Sequence, residues 1–277
     1  MLLGRLRSDL RCESLLSMPS RTASSRLWNR RRFVAHTALA LLGLSCSKGQ
    51  NRASLLVASA MSLREVMSRI KAALEAEDST LDVVLNLAGS QALAAQILAG
   101  AAADVFISAN AVQLQRLVDA GLASEPRPIA SNRLVAIAAL GSGLLEPQDL
   151  GRKGLKVVLA SPEVPVGAYS REALARLGIE EPVLKNLVSE EENVRAVMHK
   201  VSLGEADAGI VYATDVRNAA PDSVLTIELP GAEEIRATYL ASAVQGGPEP
   251  LRALAFLDHL QSAQAQAIFA QAGFGAP

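Results

Sequence analysis

The sequence predicts an α/β protein of two lobes, each a mainly parallel sheet flanked by helices. Three observations carry this. From residue 55 onward, short runs rich in Val, Leu and Ile alternate with segments of helical periodicity. The same alternation restarts after a longer apolar stretch, Arg133 to Leu140. And half of the 277 residues are apolar while only 3% are aromatic, so the core must be built from Ala, Val, Leu and Ile, which suit packed strands and helices.

The elements follow in order. Leu55 to Ala58 reads as a buried strand. Ser62 stands where a helix N-cap belongs, with Glu65 three residues on, as in a capping box. Leu63, Val66, Met67, Ile70 and Leu74 form the apolar stripe of that helix. Leu81 to Leu87 is the next strand, Gly89-Ser90 opens a helix through Leu98, Asp104 to Ser108 is a third strand and Asn110 to Asp119 a third helix. Such a series implies parallel pairing with right-handed crossovers. The second series comprises strand 156–160, helix 168–177, strand 183–187, helix 193–203 and strand 207–211, then strands 224–228 and 235–244 and helices 248–261 and 263–271. The expected division is lobe 1 from 54–134 plus 238–277 and lobe 2 from 135–237, with a ligand in the cleft between them, outside the carboxyl ends of strands.

The amino terminus reads as an address. Asn29-Arg30-Arg31-Arg32-Phe33-Val34 precedes an apolar run to Leu44, too short to span a bilayer. Residues 1–45 are expected to be a signal peptide resembling the twin-arginine type, with Met18 as an alternative start that gives a leader of ordinary length. Leu42-Gly43-Leu44-Ser45-Cys46 resembles a bacterial lipobox, although Gly43 stands where Leu is usual. Cys46 is therefore the expected lipidation site and membrane anchor, and residues 46–53 a tether.

Composition excludes several function classes. The chain holds 27 basic and 28 acidic residues; the first 45 residues carry eight of the former and two of the latter, leaving 19 against 26. An acidic remainder without a basic run does not suit nucleic acid. Only Cys12 and Cys46 are cysteines, no transition-metal spacing occurs and no GxxxxGK phosphate loop is present. His199 and His259 have no Cys nucleophile beside them and read as surface or cap residues; Asp104 and Asp207 read as strand-edge caps. No acid–base or nucleophile set supports an enzyme.

Ser62 and Ser90 both sit at strand-to-helix junctions. Helix N-termini offer unpaired N–H groups and a partial positive charge, so an anion can be held there without Lys or Arg. Ser is equally a preferred N-cap, and the residues alone favour that plainer role.

Five segments shift the balance. Residues 58–63 (ASAMSL), 86–97 (NLAGSQALAAQI), 103–109 (ADVFISA), 164–174 (VPVGAYSREAL) and 209–215 (GIVYATD) resemble, in order and spacing, segments of periplasmic molybdate-binding proteins of ABC transporters. The resemblance runs from about Leu55 to the carboxyl end. It implies a type II periplasmic binding protein fold and capture of molybdate or tungstate for an ABC importer permease, by a periplasmic monomer without cofactor. It further implies that Ser62 and Ser90 bind oxyanion oxygens through hydroxyl and backbone N–H, that Val166 and Val194 contribute backbone N–H groups, and that Tyr212 completes the shell with its hydroxyl. Val166 stands where that family often has Ala, and Ala88-Gly89 replaces a usual Gly-Ser. The competing readings are a binder of another oxyanion such as sulfate or thiosulfate, a ferric-ion carrier, for which three Tyr are too few, and an effector-sensing domain, which the export signal argues against.

Overall fold

A computed structural model describes residues 53–277. The leader, Cys46 and the tether up to residue 52 lie outside the described residues. The first described element is β1 (Ala53–Ala60), followed by α1 (Arg64–Glu77), β2 (Leu81–Ala88), α2 (Ser90–Leu98), β3 (Val105–Ser108) and α3 (Ala111–Asp119). β1 runs parallel to β2 on one side and to β3 on the other. β4 (Arg127–Ala138) leads into β5 (Val157–Ala160), α4 (Pro165–Arg176), α5 (Glu180–Lys185), β6 (Leu187–Glu191), α6 (Val194–Ser202), β7 (Ala208–Tyr212), α7 (Ala213–Arg217) and β8 (Leu225–Ile227). β5 pairs in parallel with β6 and β7. β9 (Arg236–Ala243), α8 (Pro250–Leu260) and α9 (Ala263–Gln271) complete the order.

The predicted α/β class holds. The strand path is β2-β1-β3-β9-β4-β7-β5-β6, with β8 against β4. β4 joins its two halves. Its first part, Arg127–Arg133, pairs with β9, and its last part, Leu134–Ala138, with β7. The core is aliphatic, as the composition requires. Val66, Met67 and Ile70 of α1 are buried on the sheet, and every residue of β3, β5 and β7 is buried. Four of the seven aromatics among the described residues gather in one row. Phe269, Phe274, Tyr239 and Tyr212 meet edge to face with centroids 5.4–6.1 Å apart, a geometry the ring quadrupole favours.

Two expectations fail. Val183–Leu187 is not a strand. Glu180 and Glu181 occupy the first turn and Lys185 the last turn of α5, which suits the helix dipole; Val183 is buried from that helix, and the strand follows at Leu187. Ser62 is not an N-cap, because a short 3₁₀ turn, Met61–Leu63, precedes α1 and Leu63 takes the cap position without a side-chain bond. Glu65 accordingly reaches across to Arg195 instead of closing a capping box. The plain reading of the two Asp is right. Asp104 accepts from the N–H of Leu56 and of Glu249, each at 2.7 Å, and Asp207 from the N–H of Lys156 at 2.7 Å.

Candidate anion-binding site

The parallel strands end where a site can form. β1 is followed by the turn holding Ser62, β2 by Gly89 and Ser90 at the start of α2, and β3 by Ala109. In the other half, β5 is followed by Val164-Pro165-Val166 at the start of α4, β6 by Asn193-Val194 at the start of α6, and β7 ends on Tyr212. These carboxyl-end segments converge on one cavity, lined by Ser62, Ser90, Val166, Val194 and Tyr212 together with neighbours such as Gly89 and Ala109. All five residues singled out from the sequence lie on its wall. The cavity measures about 20 Å³, against the 10–15 Å³ or so that one water needs. It suits a group of a few atoms.

The wall is rich in donors. Pro165 opens α4 with its fixed φ and no N–H to lose, so Val166 follows one residue into the first turn. The side chain of Asn193 caps α6 by accepting from the N–H of Ala196 at 3.1 Å, leaving Val194 as the first helical residue. The first four N–H groups of a helix have no acceptor within it, so those of Val166 and Val194 point out of their helix ends. Ser90 Oγ accepts from the N–H of Ala109 at 3.1 Å, which leaves its own hydrogen to be placed elsewhere. Ser62 Oγ lies 2.8 Å from the Tyr239 hydroxyl.

Tyr212 is the most telling member. Its side chain is 1% exposed, and among the described residues its hydroxyl has no hydrogen-bond partner. Burial pushes that hydroxyl well above the ordinary tyrosine range, and the charges of Tyr239, Tyr169 and Asp215 push the same way. It is a neutral, unsatisfied donor on a cavity wall, and such a group costs about 1–3 kcal/mol while it stays unpaired.

The cation that follows Val194 in the chain is committed elsewhere. Arg195 pairs with Glu65 through Nη2, and its Nε lies 3.5 Å from Asp215 Oδ1. Burial raises the Asp215 carboxyl to about 7, against the lowering influence of Arg195 and of the Tyr212 N–H. Side chains from the two halves of the sheet also meet around the cavity. Gln91 Nε2 donates to the Glu192 carbonyl at 2.8 Å and Gln113 Nε2 to the Glu163 carbonyl at 3.1 Å. Gly89 permits this approach, since a Cβ there would lie 2.5 Å from the same Glu192 oxygen. Among the described residues no His, Cys, Asp and Glu cluster could hold a metal ion.

Sequence reasoning missed Ala109, Asn132, Tyr239 and Asp215 as supports of this site. Tyr239 carried one usable signal, as one of only three Tyr in the chain.

Residues 55–275 match the model of the family described as bacterial extracellular solute-binding protein. The chain belongs to this family. Among its relatives, the molybdate-binding protein of Mycobacterium tuberculosis is 35% identical over 231 residues, covering 82% of this chain and 87% of the relative. The periplasmic molybdate-binding protein of Azotobacter vinelandii shares the fold of this binding protein with a TM-score of 0.71 at 22% identity, over 80% of this chain and 99% of that one. A sulfate-binding protein of Mycobacterium tuberculosis does so with a TM-score of 0.70 at 18% identity, over 80% and 86%. The fold therefore does not choose among oxyanions. The family is one of binders rather than enzymes, and among the described residues of this binding protein no helix is long and apolar enough to cross a membrane.

Proposed function

We propose that this solute-binding protein captures molybdate, and tungstate equally, in the cavity between its two sheet halves and delivers it to an ABC importer permease. The observation that carries the reading is the buried hydroxyl of Tyr212, unpartnered among the described residues, on a wall of neutral donors. Ser62, Ser90 and Tyr212 supply hydroxyls, and Val166 and Val194 supply backbone N–H groups.

A wall of donors suits a fully ionised tetrahedral oxyanion, because hydrogen bonds to charged groups are about twice as strong as neutral ones. An oxyanion that keeps a proton brings an O–H with no acceptor, and sulfate is smaller, so its oxygens fall short of some donors. Tungstate nearly matches molybdate in size. In this reading residues 54–134 with 238–277 and residues 135–237 act as lobes that close on the anion, with Gln91, Gln113 and the Glu65–Arg195 pair as contacts of the closed form. The permease recognises that form. The protein works as a periplasmic monomer, exported by its twin-arginine-like leader and held on a membrane by lipid on Cys46.

Titration calorimetry with molybdate, tungstate and sulfate tests the reading. Molybdate and tungstate should bind with similar affinity and sulfate at least about tenfold more weakly, a gap of some 1.4 kcal/mol. Absence of heat with molybdate, or tighter binding of sulfate, defeats it.

A further inference from the structure

We propose that Asn132 and Tyr239 are positioning residues that hold the Ser62 hydroxyl as an obligate donor into the cavity, and so make the site reject oxyanions that carry a proton. The inference rests on the oxyanion reading above and deepens it.

The relay begins at a fixed amide. Asn132 is 5% exposed on β4. Its Oδ1 accepts from the N–H of Arg133 at 3.0 Å, and its Nδ2 donates to Thr214 Oγ1 at 2.8 Å. The first of these settles which end of the amide is nitrogen, because a backbone N–H can only donate. The second hydrogen of Nδ2 faces the Tyr239 hydroxyl at 3.5 Å, a long contact that fixes polarity more than it adds energy. Tyr239 is fully buried on β9, its ring held edge to face between Tyr212 and Phe274. With a donor behind it, the Tyr239 oxygen turns its own hydrogen to its other neighbour, Ser62 Oγ at 2.8 Å. The reverse polarity would aim the Tyr239 hydrogen at the Asn132 amide hydrogens. Ser62 therefore receives a hydrogen bond from behind and has its own hydrogen left for the cavity, which it lines.

Ser90 shows the same device in simpler form. The N–H of Ala109 donates to its Oγ from behind at 3.1 Å, and that donor is backbone. Both serines are thus held as donors by donors. Only the relay to Ser62 is made of side chains, so only there can a substitution release the hydroxyl without touching a residue of the wall.

The test compares molybdate with arsenate in mildly alkaline buffer. Both are then tetrahedral dianions, but arsenate keeps one proton. Dissociation constants of each are measured by calorimetry for the wild type and for Tyr239→Phe. In the variant Ser62 Oγ loses its incoming donor and becomes free to accept from the arsenate O–H. The preference for molybdate over hydrogen arsenate should fall by about tenfold, the size of one unsatisfied polar contact. Asn132→Asp, which keeps the acceptor for Arg133 but removes the donor to Tyr239, should lower the preference in the same direction. A merely structural role would weaken both anions by one factor. An unchanged preference in both variants, with folding confirmed by circular dichroism, overturns the proposal. A wild type that fails to bind molybdate defeats the oxyanion reading itself, and is told apart because it requires no variant.

Discussion

Replacing Tyr212 by Phe separates binding from stability. The change removes one oxygen from a side chain that is 1% exposed, and that oxygen has no partner among the described residues. Little packing is lost, because the ring keeps its edge-to-face contact with Tyr239 at 6.1 Å. In the proposed loaded site the hydroxyl faces a dianion, where a hydrogen bond contributes about 1.5–3 kcal/mol. The molybdate Kd should therefore rise by about 10- to 150-fold. In the ligand-free protein the parted lobes of the proposed cycle leave the same hydroxyl to water, so removing it costs the fold little. The ligand-free Tm should hold. Titration calorimetry gives the first quantity and thermal circular dichroism the second. A Kd unchanged by the substitution, or a fall of several degrees in ligand-free Tm, would refute the assignment and make Tyr212 a structural residue.

Three further outcomes are expected. Gly89→Ala places a Cβ 2.5 Å from the Glu192 carbonyl oxygen; the two sides must part there, and calorimetry should show molybdate affinity falling at least about tenfold with ligand-free Tm little changed. Asp215→Asn tests the carboxyl raised to about 7 by burial. An acid with a raised folded-state pKa stabilises the fold below its ordinary value of 3.8 and loses that contribution as pH rises from there through about 7, so the variant should melt above wild type at pH 8 and converge with it toward pH 4; a gap in Tm that does not change with pH contradicts this. Asp104→Ala strips the acceptor from the Leu56 and Glu249 N–H groups, each a cost of about 1–3 kcal/mol when left buried and unpaired; denaturant melts should show the loss, while the molybdate Kd of the folded fraction stays as in wild type.

The order of strands and helices was legible because periodicity and N-caps are local. Asn110 and Asn193 cap their helices through residues three positions on, and the apolar stripe of α1 is read from its own spacing. The failures were local signals overridden. Val183-Leu184 has a strand-like composition, yet the acids before it and Lys185 after it favour one helical turn and more. Ser62 and Glu65 have capping-box spacing, yet each finds its partner far along the chain, at Tyr239 and Arg195. Ser62, Ser90, Val166 and Tyr212 were nameable because they lie in segments that carried the family resemblance, and Val194 because the resemblance implies a backbone donor at the start of the next helix. Their supports were not, because the Ser62–Tyr239 bond joins positions 177 apart and the Asn132–Thr214 bond positions 82 apart. Neither Asn132 nor Tyr239 lies in a segment that carried the resemblance. Burial of Tyr212 was equally invisible, since it follows from its pairing with Leu134 of β4 and from the ring of Tyr239 on β9 packed against its own.

The central claim is that neutral donors at strand and helix ends hold a tetrahedral oxyanion. A crystal structure grown with molybdate, with the metal located by anomalous scattering, tests it most directly. The account predicts one tetrahedral anion in the cavity. Its oxygens should lie within about 2.7–3.2 Å of the hydroxyls of Ser62, Ser90 and Tyr212 and of the N–H groups of Val166 and Val194. An anion held by Lys or Arg side chains, or seated anywhere else on the protein, would contradict it.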